Sequence, residues 1–313
     1  MDQRRWLIML AIIDIGSNTI RMNVYKILID ETLHQSGFRF LFSEKEMAGL
    51  ASHIEDNELS EAGLQNLLRI LKRFRLILDN LSIETMFPFA TASLRKINNS
   101  SEVLDIIKQQ TNFDIHLISG KEEGRLGFLG SRVDTQVNQG LMTDIGGGST
   151  ELVHFKDDKI FSSESIALGS LGLYKEYVEG ILPNAKEQKA IKKFVRQQLK
   201  DNYEGLEINH VEKMVGVGGS IRATLKLHHY LLNDYESNSM TLNDVENIIN
   251  RISDGTYEAQ AIILKVISER VHTILPGLIV LRETMKYFDI KEVVVSQSGV
   301  REGYLIKHVL KKD

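Results

Sequence analysis

Apolar and polar positions along the chain follow two alternating periods. Residues 6–15, 22–29 and 38–47 are apolar or two-periodic over strand length and predict three successive strands. Leu64, Leu67, Leu68, Leu71 and Phe74 then recur at helical spacing, which predicts a helix over 59–81. A strand at 83–90, a helix at 101–110, a strand at 115–118 and a helix at 120–131 complete an α/β half. From about residue 138 the pattern begins again, with strands at 141–145, 151–156 and 159–167 and a helix at 186–199. A strand at 213–217, a helix from Ser220, three helices within 242–286, a strand at 292–296 and a closing helix from Gly299 follow.

The two halves open alike. "IIDIGSNT" at residues 12–19 and "MTDIGGGST" at 142–150 share a strand, an aspartate, a glycine turn and hydroxyl residues, about 130 residues apart. Successive glycines weaken local structure unless something must approach the main chain closely. A strand that runs into a glycine turn presents consecutive backbone N–H groups, which bind an anion without side-chain charge. Gly16, Ser17, Asn18 and Thr19 in the first turn and Gly146, Gly147, Gly148 and Ser149 in the second are therefore candidate phosphate-binding residues. The hydroxyls of Ser17, Thr19, Ser149 and Thr150 are candidate extra donors. Two such hairpins facing one cleft would form a phosphate clamp.

Length changes this picture by adding a domain count: 313 residues exceed what one core usually serves. The expected division is 1–125 and 126–313, with the last helix free to pack back on the first domain. The apolar share of 42% and the charged share of 26% are those of a globular chain. With no cysteine, disulfides, thiolate zinc sites and cysteine nucleophiles are excluded. A net charge of −4 gives no general attraction to nucleic acid or membrane, so an anionic substrate needs a local basic lining. Arg4 and Arg5 precede an apolar run, but that run ends on Asp14 without a small-residue cleavage site, which predicts a buried strand and a cytoplasmic protein.

Asp14 and Asp144 end the two strands, and Glu151 follows the second turn. Carboxylates beside bound phosphate usually hold a divalent cation, commonly Mg²⁺, so Asp14, Asp144 and Glu151 are candidate metal residues. A third glycine cluster, "GVGGSIRAT", leads from strand to helix; Gly218 and Gly219 there suit either phosphate at a helix N-terminus or tight strand–helix packing. Glu122 and Glu123 fall in the first turn of a predicted helix, where the helix dipole alone favours acidic residues. Arg95 and Arg301 follow strands and are candidates for the anion lining, whereas Lys192, Lys193 and Arg196 read as a solvated helix face. The nine histidines show no metal-ligand spacing.

"IIDIGSNTIRM", "ATASLRK", "ISGKEEGRLGFLG", "TDIGGGSTELV", "ALGSLGLYKEY", "GVGGSIRAT" and "SGVREG" stand in the order found in the exopolyphosphatase and guanosine pentaphosphate phosphohydrolase family, which the chain resembles over nearly its whole length. The resemblance implies an α/β fold of two ribonuclease H-like domains, as in actin, Hsp70 and the sugar kinases, around an interdomain cleft. It also implies Mg²⁺-dependent hydrolysis of a terminal phosphoanhydride in inorganic polyphosphate, or in pppGpp, together with a homodimer. By the same resemblance Glu123 is the catalytic glutamate, with Arg95 and the glycine turns on the phosphate. Two other classes fit the fold: an ATP-dependent kinase and a polyphosphate or alarmone sensor without turnover. The sequence departs from the family pattern at Gly124, where alanine is usual, at Ser220 for threonine, and at His272 for aspartate. Longer relatives carry a further C-terminal helical domain, so a weaker grip on long polyphosphate is expected here.

Overall fold

Each of two mixed sheets grows from a long antiparallel meander to which parallel strands are added. The computed structural model describes residues 6–30, 35–204 and 211–311, and the pair Arg4 and Arg5 lies outside them. By its internal contacts the chain divides into Met1–Ser119 with Tyr304–Asp313, and Gly120–Gly303.

In the first unit, β1 (Trp6–Ile15), β2 (Thr19–Asp30) and β3 (Gln35–Met47) form the meander. A short ladder of β4 (Ile54–Glu55) with β5 (Glu58–Leu59) leads to α1 (Glu61–Asn80). The hydroxyl of Ser60 caps α1 by accepting from the Gly63 amide at 3.3 Å. This helix is the crossover that lets β6 (Thr85–Ala90) lie parallel to β1. Next come α2 (Ala92–Arg95), α3 (Ser100–Thr111) and β7 (His116–Leu117), giving the order β3-β2-β1-β6-β7. Leu67, Leu71, Phe74 and Leu78 of α1 bury their apolar stripe on Ile13, Ile15, Met22 and Val24.

The second unit opens with α4 (Gly120–Ser131) and the meander β8 (Gln139–Ile145), β9 (Thr150–Lys156) and β10 (Lys159–Ile166). Helices α5 (Ser170–Tyr177) and α6 (Ala185–Tyr203) precede β11 (Lys213–Val217), which pairs parallel to β8. The chain continues through α7 (Gly218–Leu232), β12 (Ser239–Thr241), α8 (Leu242–Ile252), α9 (Tyr257–Ile267) and α10 (Ile274–Tyr287) to β13 (Glu292–Val295) and α11 (Val300–Tyr304). The order is β10-β9-β8-β11-β13-β12. Its first five strands repeat the first unit, meander inward and parallel strands outward, as the duplicated turn motif predicts.

Side chains alternate across this sheet. Met142, Val153, Phe155, Val215 and Val217 face Phe128 of α4, while Leu141, Ile145, Leu152, Met214 and Val293 face the helices of the larger core. Asp144 and Glu151, each two residues from Met142 or Val153, therefore belong to the face that α4 covers.

The expected boundary after residue 125 falls inside α4, and the division lies instead between Ser119 and Gly120. Glycine along α4 explains why the helix stays whole with the second sheet. A Cβ at Gly127 would stand 3.0 Å from Met142 Cε, and one at Gly130 would collide with the Gly299 carbonyl. The closing residues from Tyr304 cluster with the first unit. There the Tyr304 ring stacks on Phe89, centroids 4.8 Å apart, and its hydroxyl lies 3.1 Å from His116 Nδ1. Among the described residues no helix is long and apolar enough to cross a membrane.

Candidate functional site

Both predicted hairpins form, with one geometry. In the first, Asp14 pairs with Arg21 and Ile15 with Ile20, and the Gly16 amide donates to the Thr19 carbonyl at 3.1 Å. In the second, Asp144 pairs with Glu151 and Ile145 with Thr150, and the Gly146 amide donates to the Ser149 carbonyl at 2.9 Å. The residues opposite the two aspartates thus differ in sign, Arg21 in one hairpin and Glu151 in the other.

Around the first turn, Asn18 O accepts from the amides of Ala48 and Gly49 at 3.0 and 2.9 Å, and Ser17 O from Ala51 at 3.0 Å. The end of β1 is held from the other side: Ile15 O accepts from the Ser93 hydroxyl at 3.0 Å and the Thr91 amide at 3.3 Å. Arg95 stands at the end of α2, half-buried, and its Nη1 donates to the Ile118 carbonyl at 2.7 Å. That bond fixes the guanidinium plane, a constraint the sequence did not show.

The second turn is gripped by α5. Gly146 O accepts from the Ser170 amide at 2.9 Å and its hydroxyl at 3.1 Å, while Gly147 O accepts from Leu171 at 3.0 Å and Gly172 at 3.1 Å. A Cβ on Gly169 would collide with Gly147, so only glycine lets this segment approach. The carbonyls of the turn are thereby saturated from one side. The amides of Gly147 and Gly148 have no hydrogen-bond partner among the described residues, and unpaired successive amides are what an anion nest consists of.

The hydroxyls expected to serve as extra donors on the second turn are used within the protein. Ser149 Oγ donates to Glu151 Oε1 at 2.8 Å, and Thr150 Oγ1 donates to the Leu168 carbonyl at 2.6 Å. Ser165 Oγ also donates to Glu151 Oε1, at 2.7 Å. Glu151, 1% exposed, is therefore an oriented buried carboxylate. Ser165 was not legible as a site residue, because the β9–β10 register alone brings it opposite Glu151.

Across the sheet, β11 ends beside Asp144, and Val217 is its pairing partner. Gly218 takes φ +83°, and a Cβ there would run into the Asp144 carboxylate. One on Gly219 would strike the Arg270 guanidinium. The GVGG segment thus serves close packing around Asp144 and Arg270. Burial pulls the Arg270 pKa below its ordinary value, while Glu269 and Asp144 act in the opposite direction. Arg270 was missed in the sequence. It sits in a short 3-10 turn after α9, Ser268–Arg270, with no periodic signal. His272, two residues on, packs against Tyr174 with ring centroids 4.9 Å apart. Arg301 is half-buried on α11.

Glu123 lies in the first turn of α4, half-buried. A Cβ on its neighbour Gly124 would come within 3.6 Å of Glu151 Cβ, so this turn packs beside the face that carries Asp144 and Glu151. Glu123 consequently travels with the second unit. Among the described residues no group of three or more His, Cys, Asp or Glu side chains could hold a metal ion, whereas Asp144 and Glu151 form a cross-strand pair. Such a pair fits Mg²⁺, which is usually bound by one or two carboxylates with substrate phosphate and water completing its shell.

The family model described as the Ppx/GppA phosphatase family matches residues 28–312. The chain belongs to the Ppx/GppA family. Among curated relatives it is 25% identical over 320 residues to a bifunctional 3-dehydroquinate synthase/phosphatase of Fusobacterium nucleatum, covering 96% of this chain and 47% of that one. Exopolyphosphatase 1 of Mycobacterium tuberculosis is 24% identical over 306 residues, with 95% of this chain and 87% of the relative covered. The chain thus spans about half the length of the first relative and most of the second. Two solved Ppx/GppA-type structures share the fold. An exopolyphosphatase from Cytophaga hutchinsonii superposes with a TM-score of 0.85 at 21% identity, over 97% of this chain and 99% of that one. The Aquifex aeolicus Ppx/GppA family member gives 0.78 at 23% identity, over 98% and 99%.

Proposed function

We propose that the protein is a Mg²⁺-dependent exopolyphosphatase that hydrolyses the terminal phosphoanhydride of inorganic polyphosphate and releases orthophosphate. The observation that carries this reading is the cross-strand pair of Asp144 with the oriented Glu151, beside a glycine turn whose Gly147 and Gly148 amides are unpaired among the described residues.

Those amides would donate to the oxygens of the terminal phosphoryl group, and the Arg270 guanidinium would balance its charge. In the first unit, the Gly16–Thr19 turn and Arg95 are assigned to phosphate by the same chemistry. Glu123 is assigned to orient a water and take its proton. A bond forms between that water oxygen and phosphorus while the bridging P–O bond breaks, and the shortened chain leaves on its own oxygen. Phosphoryl transfer asks for positioning and electrostatics more than covalent participation. Mg²⁺ would be held by Asp144 with Glu151 and, when bound, neutralises phosphate charge.

Orthophosphate release from tripolyphosphate, long polyphosphate and pppGpp, with Mg²⁺ and with EDTA, tests the proposal in wild type and Glu123→Gln. Metal-dependent release from polyphosphate is expected, with kcat lowered about 10²–10⁴-fold in the variant. Faster release from pppGpp would move the assignment to a pppGpp phosphohydrolase. Near-normal turnover by Glu123→Gln would remove Glu123 from its role.

A further inference from the structure

Helix α8 carries two stripes. Val245, Ile248, Ile249 and Ile252 are buried in the larger core. Beside them Asp244, Asn247, Ile248 and Arg251 follow the i, i+3, i+4, i+7 spacing, so they share one side of the helix over two turns. Helix α7 packs alongside, and its His228 and Leu232 line the same groove, which encloses about 420 Å³. That volume lies within the roughly 300–1,000 Å³ of sites that hold small molecules.

Three features distinguish this groove from an ordinary gap between helices. His228 is 5% exposed, yet its Nδ1 has no hydrogen-bond partner among the described residues. Buried ring nitrogens are normally paired, and a polar ligand atom would complete this one. Leu232 on the groove wall is 57% exposed, whereas Ile248 beneath it is buried. Asp244 and Arg251 stand seven residues apart, about 10 Å along the axis, too far for the ion pairs that form at three or four residues. The Thr241 amide and hydroxyl donate to Asp244 Oδ2 at 2.8 and 2.7 Å and fix that carboxylate, while Oδ1 accepts no hydrogen bond among the described residues. Arg251 Nη2 meets Glu258 at 3.6 Å, which leaves most of the five guanidinium donors for a ligand.

We infer that the α7–α8 groove is a binding site for a small zwitterion, a free α-amino acid with an apolar side chain. Its ammonium group donates to Asp244, its carboxylate accepts from Arg251, and Asn247 and the His228 ring serve the polar atoms between them. The apolar side chain covers Leu232 and Ile248. One residue spans about 3.5 Å, and a charge-assisted hydrogen bond of about 2.8 Å at each end extends this to about 9 Å, comparable with the rise from Asp244 to Arg251. The charges of the groove cancel, so a polyanion gains little there, whereas a dipole meets opposite charge at each end. No Phe, Tyr or Trp lines the groove, so a nucleobase finds no stacking platform. His228 lies about 15 Å along α7 from Gly218, and the inference does not depend on the hydrolase reading.

Calorimetric titration of the full chain with L-leucine, L-isoleucine, L-valine, L-methionine and L-phenylalanine tests the site, and saturable one-to-one binding of at least one is expected. For leucine, the analogue without the ammonium group is 4-methylpentanoate and the one without the carboxylate is 3-methylbutylamine. Each should bind about 10-fold more weakly, the loss of one hydrogen bond to a charged group. Arg251→Gln, at an exposed position, should weaken the amino acid about 10-fold and leave the amine analogue unchanged. Asp244→Asn, which keeps an oxygen for the Thr241 cap, should weaken the amino acid by a similar factor and leave the carboxylate analogue unchanged. No binding of any of the five by wild type up to about 10 mM overturns the proposal. So do analogues that bind as tightly as the amino acid, or variants that bind it like wild type. Binding of a nucleoside or of tripolyphosphate that Arg251→Gln weakens, with no amino acid bound, rejects it in favour of another ligand class.

Discussion

The hydroxyl of Ser163 occupies the space that a side chain on Gly124 would need. A Cβ there would stand 2.7 Å from Ser163 Oγ and 3.1 Å from Val153 Cγ2, and that hydroxyl donates to the Lys121 carbonyl at 2.9 Å. The glycine and the serine thus form one packing unit that ties the Glu123 turn to β10.

Gly124→Ala should accordingly be strained even though alanine favours a helix by about 0.5–1 kcal/mol over glycine. Removing the hydroxyl as well, in Gly124→Ala with Ser163→Ala, should recover stability, with a coupling of about 1 kcal/mol. Denaturant unfolding of the two single variants and the double variant measures it. Additive effects would show that the two side chains do not compete for this space.

Ser165→Ala removes the Ser165 hydroxyl from Glu151 and keeps that of Ser149. The Mg²⁺ concentration needed for half-maximal orthophosphate release should rise about 10-fold, the low end for a residue that orients a metal-binding group. An unchanged Mg²⁺ requirement would mean that the Ser165 hydrogen bond does not set the carboxylate's position.

Arg270→Ala should lower kcat/KM for polyphosphate by about 10²-fold, as loss of a preorganised charge at the reacting phosphate does. Lysine should restore only part of it, since it lacks the planar fork that lies along Gly219. Gly219→Ala should produce a similar loss by displacing the guanidinium. Full activity in both Arg270→Ala and Gly219→Ala would leave Arg270 a structural residue.

Hydrogen bonding by Ser239, and then the Lys213 ammonium, hold the Glu292 carboxyl below its ordinary value. A depressed folded-state pKa contributes stability above the unfolded value, and that contribution is lost as pH falls through the folded one. Acidification below the ordinary glutamate range should therefore destabilise wild type more steeply than Glu292→Gln. Parallel unfolding curves for the two proteins between neutral and acidic pH would exclude a role for this carboxylate.

Local physics made much of the chain legible from sequence. Turn motifs and apolar periodicity depend on neighbours within a few residues, so β1, α4 and β11 run over the residues the pattern predicts, and both glycine hairpins form where the duplicated motif places them. The weak signals failed for the same reason. β12 has only Ser239, Met240 and Thr241, and it exists because β13 offers an edge to pair with. The short helices α2 and α5 carry too few residues for a period to show.

By itself the sequence determined two α/β halves and the duplicated turns with their aspartates; the role of Glu123 is what family resemblance implies. Tertiary structure decided what surrounds those groups. Ser165 reaches Glu151 through strand register, Arg270 reaches Gly219 from about 50 residues away along the chain, and Ser149 is committed to Glu151 instead of remaining a free donor. It also decided that α4 stays whole with the second unit, because small residues at Gly124, Gly127 and Gly130 fit that sheet and α11. Contacts between residues distant in sequence carry no period and no motif. They are set by packing, which only the folded chain expresses.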